Sequence, residues 1–188
     1  MKKFKIGSVT FLVGWPAVAA VFYKDNLDKK PGVTRNGKTK GPFIWIRTDQ
    51  KNNTGLHRHE LFHAKLWYVM QPLPFLAGIT AMAFSTGLLY NVGLGLVAVG
   101  VVSPLLKKIP RVRLWNEAQG NAAQLLDAPK EVTAFTKEAN RELYSLVRIY
   151  NFKEHFEIDK IQKVFSKAME QRGLDSSVLN LQKAGYKL

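Results

Sequence analysis

The chain has 188 residues, 46% hydrophobic and 22% charged, a composition that folds and excludes disordered, collagen-like and coiled-coil classes. It contains no cysteine, which excludes disulfides, a thiol nucleophile and Cys-ligated metal, so any metal must be held by His and carboxylates. The net charge of +14 suits an anionic partner, but no helix-turn-helix, RRM or zinc-finger signature points to nucleic acid, and none is expected as a partner.

Taken in chain order, residues 1–23 open with Lys2, Lys3 and Lys5 and continue into Ile6–Tyr23, 18 residues without a charge or a His. Ala17–Val18–Ala19 has the small-x-small form of a signal cleavage site, but Trp15–Pro16 interrupts the run, which therefore reads as an apolar anchor or membrane-dipping segment. Lys24–Lys51 is rich in Gly, Asn, Asp and Lys, with Asn36–Gly37 as a hairpin-turn signal. Phe43–Thr48, aromatic and β-branched, predicts a short strand, and such a strand offers an edge to a peptide. Asn53 or Thr54 caps a helix from Gly55 to Gln71.

Leu66–Leu106 then runs for 41 residues without a charge or a His. A bilayer core of about 30 Å takes about 20 helical residues, so this length suits two passes with a turn or one pass plus a buried helix. The reading taken is a membrane hairpin over residues 72–106, with re-entrant insertion and a soluble core hairpin as the alternatives. The arms of the membrane hairpin are expected near Pro74–Tyr90 and Leu94–Leu106, with the turn at Tyr90–Gly93. Residues 24–71 carry net +6 and residues 107–188 net +5. Basic flanks on both sides put both ends in the cytoplasm and favour contact with an anionic lipid membrane. Four helices follow, over Leu114–Leu126, Lys130–Tyr150, Lys153–Arg172 and Asp175–Ala184. The organisation is thus residues 1–23, a core over 24–126 interrupted by the hairpin, and a helical region over 127–188.

The chemistry sits in His59–Glu60–Leu61–Phe62–His63, an HExxH sequence. Residues four apart share a helix face, so both imidazoles reach one Zn²⁺, and Glu60 stands beside it to accept a proton from water. A third ligand is needed. His57 is offset from the His59–His63 face and reads as a surface or substrate-side residue, and His155 remains an alternative. Glu117 is the better choice, because small residues surround it and Asn121, one turn on, is placed to hydrogen-bond a ligating His. Tyr144, Tyr150, Arg141, Arg148 and His155 are all available to stabilise an oxyanion, and nothing in the sequence selects among them.

HExxH on one helix with a Glu and an Asn four residues on in a later helix resembles the gluzincin metallopeptidases. The compact form is similar to a minigluzincin, and the intervening apolar segment is similar to membrane-embedded gluzincins such as the heat-shock membrane proteases and the prenyl-protein proteases. The resemblance covers about Phe43–Gln124. It implies His59, His63 and Glu117 as zinc ligands, Glu60 as catalytic base, and a peptide or protein substrate that includes membrane proteins. Two positions depart from the pattern: Phe62 stands where Gly is usual, crowding the helix near the metal, and Asn121 where Asp is usual. The expected fold is α+β and mostly helical: a zincin-like core of hairpin or strand, HExxH helix and Glu helix, with a membrane hairpin. The expected protein is a membrane zinc metallopeptidase with its site at the cytoplasmic interface. The alternative is a non-enzymatic membrane protein that keeps this core for structure or interaction.

Overall fold

The computed structural model describes residues 1–27, 36–106 and 108–186. It is α+β, with one five-stranded mixed sheet followed by helices. The strands are β1 (Lys2–Ile6), β2 (Val9–Gly14), β3 (Ala17–Lys24), β4 (Gly37–Lys40) and β5 (Phe43–Arg47). The order across the sheet is β1-β2-β3-β5-β4, antiparallel except for the parallel β3–β5 pair.

Three expectations are corrected here. Ile6–Tyr23 is not an anchor: it is the end of β1 together with β2 and β3, and Trp15–Pro16 is the turn between the last two. Its residues alternate in burial, with Thr10, Leu12, Ala19 and Val21 inside, the two-residue period of a sheet. Asn36–Gly37 does not turn the chain, since Gly37 already pairs with Ile46. The hairpin turns at Gly41–Pro42, where Gly41 has φ +60°, the positive value that a two-residue loop needs at its first position. The strand Phe43–Thr48 forms as β5, but it lies between β3 and β4, so it has no edge to lend to a peptide; β1 and β4 are the edges.

The helices are α1 (Thr54–Met70), α2 (Pro72–Phe84), α3 (Leu88–Leu106), α4 (Pro110–Gln124), α5 (Val132–Tyr144) and α6 (Ile158–Glu170). Asn53 caps α1, its side-chain oxygen accepting from the Leu56 amide at 2.9 Å. The helical runs Thr54–Phe84, interrupted at Gln71, and Leu88–Leu106 are each long and apolar enough to cross a membrane. The turn between α2 and α3 is at Ser85–Gly87, with Gly87 at φ +64°, five residues before the expected one. Gly93 has a different use. A Cβ on Gly78 would lie 2.6 Å from the Gly93 carbonyl oxygen, and one on Gly93 2.7 Å from that of Gly78, so the two helix backbones touch. Asp175–Ala184 is a series of turns rather than a helix.

The chain packs as two compact units. Met1–Lys51 and His63–Ile109 form one, containing the sheet, the α2–α3 hairpin and the second half of α1. Within it Leu12, Ala19, Val21, Ile44 and Ile46 are buried on one sheet face, the Tyr68 hydroxyl donates to the Val18 carbonyl at 3.1 Å, and the Trp67 ring lies 3.3 Å from where a Gly41 Cβ would stand. Asn52–Phe62 and Pro110–Leu188 form the other, where α4, α5 and α6 close a core around Leu114, Ala118, Leu143, Ile161 and Phe165.

Candidate metal centre

His59 and His63 ride one turn apart on the unbroken α1, and Glu117 comes from α4. The structure brings these three together: one ligand atom from each lies within 4.8 Å of the others, and His59 Nε2 is 3.7 Å from a Glu117 carboxylate oxygen. Donors at about 2 Å from a tetrahedral metal stand roughly 3.3 Å apart, and this His–His–Glu group is one that could hold a metal ion. His59 is buried, and the other two are half-buried. Among the described residues no other group of three or more His, Asp or Glu gathers in this way.

Gly120 makes room for the first ligand. A Cβ there would lie 2.9 Å from His59 Cε1, 3.0 Å from Nε2 and 3.1 Å from Nδ1. The imidazole therefore rests on the bare backbone of α4, one turn beyond Glu117. Arg58, on α1, grips Asp127 with two bonds of 2.7 and 2.8 Å, tying the start of α1 to the segment that follows α4. Gly55 packs against Gln124 in the same way, where a Cβ would meet the Gln124 side chain at 2.9 Å.

Glu60 is buried beside the first ligand. Tyr150 is the group that sequence reasoning left unselected and the structure places at the site. Burial, the charges of Glu117 and Glu60, and a hydrogen bond to Glu117 push its hydroxyl well above the ordinary value, so it stays protonated and donates to the Glu117 carboxylate. A π turn over Ser145–Ile149, closed by the Tyr150 amide on the Ser145 carbonyl at 3.0 Å, delivers it there. No spacing in the sequence announces that extra residue in the turn. Of the other groups weighed with it, Tyr144 stacks on Tyr186, Arg141 pairs with Glu138 and Glu142, and His155 is exposed against Phe156. Arg148 is exposed.

Three further expectations change. His57 is buried rather than on the surface, with Nδ1 2.6 Å from the Asn53 carbonyl oxygen, so it braces the first turn of α1. Asn121 is buried, but its amide donates to the Glu142 backbone carbonyl at 3.3 Å instead of to an imidazole, tying α4 to α5. Phe62 does not crowd the metal face. Its ring meets Trp115 edge-on at 6.4 Å and lies under the Arg172 guanidinium at 5.5 Å. Arg172 is in turn held by Gln119 and by the Ala168 carbonyl.

Comparison with protein-family models, with characterised proteins and with solved structures returns no match. The geometry alone therefore carries the functional reading.

Proposed function

We propose that the protein is a membrane-associated zinc metallopeptidase with its site at the cytoplasmic interface. The observation that carries this reading is the convergence of His59, His63 and Glu117 within 4.8 Å, with Glu60 buried beside them. His59, His63 and Glu117 would hold the zinc, which when bound would supply Lewis acidity toward water and a peptide carbonyl. Glu60 accepts the proton of the attacking water and passes it to the leaving amine. Tyr150 helps fix the orientation of Glu117 by donating to its carboxylate, while Gly120 lets the His59 ring settle against α4.

The membrane part of the proposal rests on the apolar hairpin α2–α3, whose large side chains, such as Leu76, Phe84, Leu88 and Val101, are exposed. Basic flanks favour both hairpin ends in the cytoplasm. The motif itself is flanked by Arg58 and Lys65, and the uncharged run begins only at Leu66, which argues for a site at the interface rather than at mid-bilayer.

The test measures zinc and peptide cleavage on one detergent-purified preparation. The wild type is expected to hold about one zinc per chain and to cleave members of a peptide library. Glu60→Gln is expected to keep the zinc and lose about 10²–10⁴-fold in rate. Equal rates in both would overturn the role of Glu60. Bound zinc with no cleavage by either would put the non-enzymatic reading in its place.

A further inference from the structure

The sheet has an unusual outer face. In an ordinary sheet covered on one side, the residues facing away from the core are polar. Here the register places Phe4, Phe11, Val18, Phe22, Phe43 and Trp45 together on the face opposite Leu12, Val21 and Ile44. Phe4, Val18, Phe22 and Phe43 are exposed. The rings cluster with one another: Phe22 lies 6.1 Å from Trp45 and 6.2 Å from Phe43, and Phe4 stacks on Phe11 at 5.4 Å. At one end, in the β2–β3 turn, Trp15 is 91% exposed.

The rim of this face is basic. Lys2 lies at its β1 margin, Lys38 and Lys40 on edge strand β4, and Lys24 and Arg47 at the ends of β3 and β5. Lys3 and Lys5 belong to the opposite face, in register with Leu12 and Thr10, and the strands themselves carry no Asp or Glu. Arg47 is paired with Asp49, so lysines supply the charge of the rim. An apolar, aromatic centre inside a lysine-rich rim matches the layering of an anionic bilayer, where rings settle among the headgroups and cations meet lipid phosphates.

We propose that this outer sheet face docks on the surface of an anionic lipid bilayer. The inference rests on the membrane reading above for one thing, that the hairpin belonging to the same unit brings a bilayer to the sheet. The face suits other occupants less well. A second copy joined through it about a two-fold axis would set one lysine rim against the other. Single-stranded nucleic acid would want rings free to stack and polar groups to read base edges. These rings lie against each other, and the face's centre is aromatic and aliphatic.

The absence of native cysteine makes single labels clean. The full chain, carrying an environment-sensitive fluorophore at Val18→Cys or at Ile79→Cys, is reconstituted into phosphatidylcholine vesicles with and without phosphatidylglycerol. Ile6→Cys, on edge strand β1, repeats the sheet measurement should the Val18 variant fold poorly. The sheet label is expected to move into an apolar environment only with phosphatidylglycerol, and to return to water at about 1 M salt, where the screening length falls to about 3 Å. Replacing Lys38 and Lys40 by Gln should lower the ratio of docked to undocked chains by roughly fivefold per charge, so roughly 25-fold for the pair.

A sheet label that stays in water in anionic vesicles overturns the docking, and an Ile79 label in lipid shows that the membrane reading survives it. An Ile79 label in water with the sheet label in lipid breaks the hairpin reading and leaves the docking standing. Shielding of the sheet label in detergent without lipid, or by an oligonucleotide instead of vesicles, assigns the face to another occupant and overturns the proposal.

Discussion

The hairpin α2–α3 and the C-terminal helices α4–α6 are both helical, yet they are built inside out relative to each other. In the hairpin the buried positions are Gly78, Gly93, Gly100 and Ser103, and the large apolar side chains face outward. In α4–α6 the large side chains, such as Leu143, Ile161 and Phe165, are buried, and most charges face outward, with Glu142 a buried exception. Water rewards burial of Phe165 through the hydrophobic effect, whereas a hairpin placed in lipid would gain no such reward and would be held by close backbone contact instead.

The widest separation between the two regions comes from adding a charge to each. Ile79, midway along α2, is 45% exposed, and Val132, at the start of α5, is 73% exposed. If the hairpin sits in lipid, Ile79→Asp should cost about 2.5–3.5 kcal/mol of insertion, read as loss of chain from the membrane fraction. Val132→Asp should change unfolding by no more than about 0.5 kcal/mol. Equal, small effects at both positions would mean that α2 faces water, and the contrast would collapse.

The second probe uses a buried acid, which the C-terminal unit tolerates and the hairpin lacks. Glu142 is buried on α5, where Gln124 donates to its carboxylate at 3.0 Å and Arg141 pairs with it. Burial pushes its pKa up from 4.5 to about 7, against the pull of Arg141. Between those values the folded chain holds a proton that the unfolded chain releases. Its contribution to stability is therefore full below pH 4.5 and is lost as pH rises through about 7. The loss is at most about 3 kcal/mol. Unfolding midpoints followed from pH 5 to pH 8 should fall in the wild type and flatten in Glu142→Gln.

How much of this was legible in the sequence depends on how local each signal is. His59 and His63 are readable because four residues on a helix are one turn, and Glu117 because small residues around it advertise a close approach. Tyr150 is unreadable, since the π turn that aims it changes the helical period by one residue. The strands of Ile6–Tyr23 imitate an anchor for a chemical reason. Both faces are apolar, Leu12 and Val21 on one and Phe11 and Phe22 on the other, which erases the alternation that marks a half-buried strand. Gly93 misleads as a turn because glycine serves equally where a chain reverses and where two helices touch.

Glycine also links the two regions and supplies the third probe. Gly78 and Gly93 let backbone meet backbone, whereas Gly120 lets backbone meet the His59 imidazole. A methyl at Gly120 stands 2.9 Å from the His59 ring, so Gly120→Ala must shift the ring or the helix. Zinc affinity, measured by competition with a chelator, should fall about 10–100-fold, with helix content unchanged. An unchanged affinity would mean that the ring position is unimportant to the metal.

The smallest expected effect concerns how helices begin in the two environments. α1 starts with a polar cap, the Asn53 side chain accepting from the Leu56 amide at 2.9 Å, while the Asn53 carbonyl meets His57 Nδ1 at 2.6 Å. α2 starts at Gln71 without a side-chain cap, and prolines occupy its first turn. Proline has no N–H to satisfy, so a helix opened by Pro72 and Pro74 leaves fewer donors bare. Removing the side chain at both places should therefore give different results. Asn53→Ala frees the Leu56 amide and should cost about 1 kcal/mol in unfolding experiments. Gln71→Ala removes no capping bond and should stay within about 0.5 kcal/mol. Because Asn53 begins the helix that carries His59 and His63, the same variant should also bind zinc more weakly, by about fivefold if the full ~1 kcal/mol is taken from the bound state. A cost at Gln71 as large as that at Asn53 would mean that α2 opens as a water-facing helix does, and the contrast between the two regions would fail at its first turn.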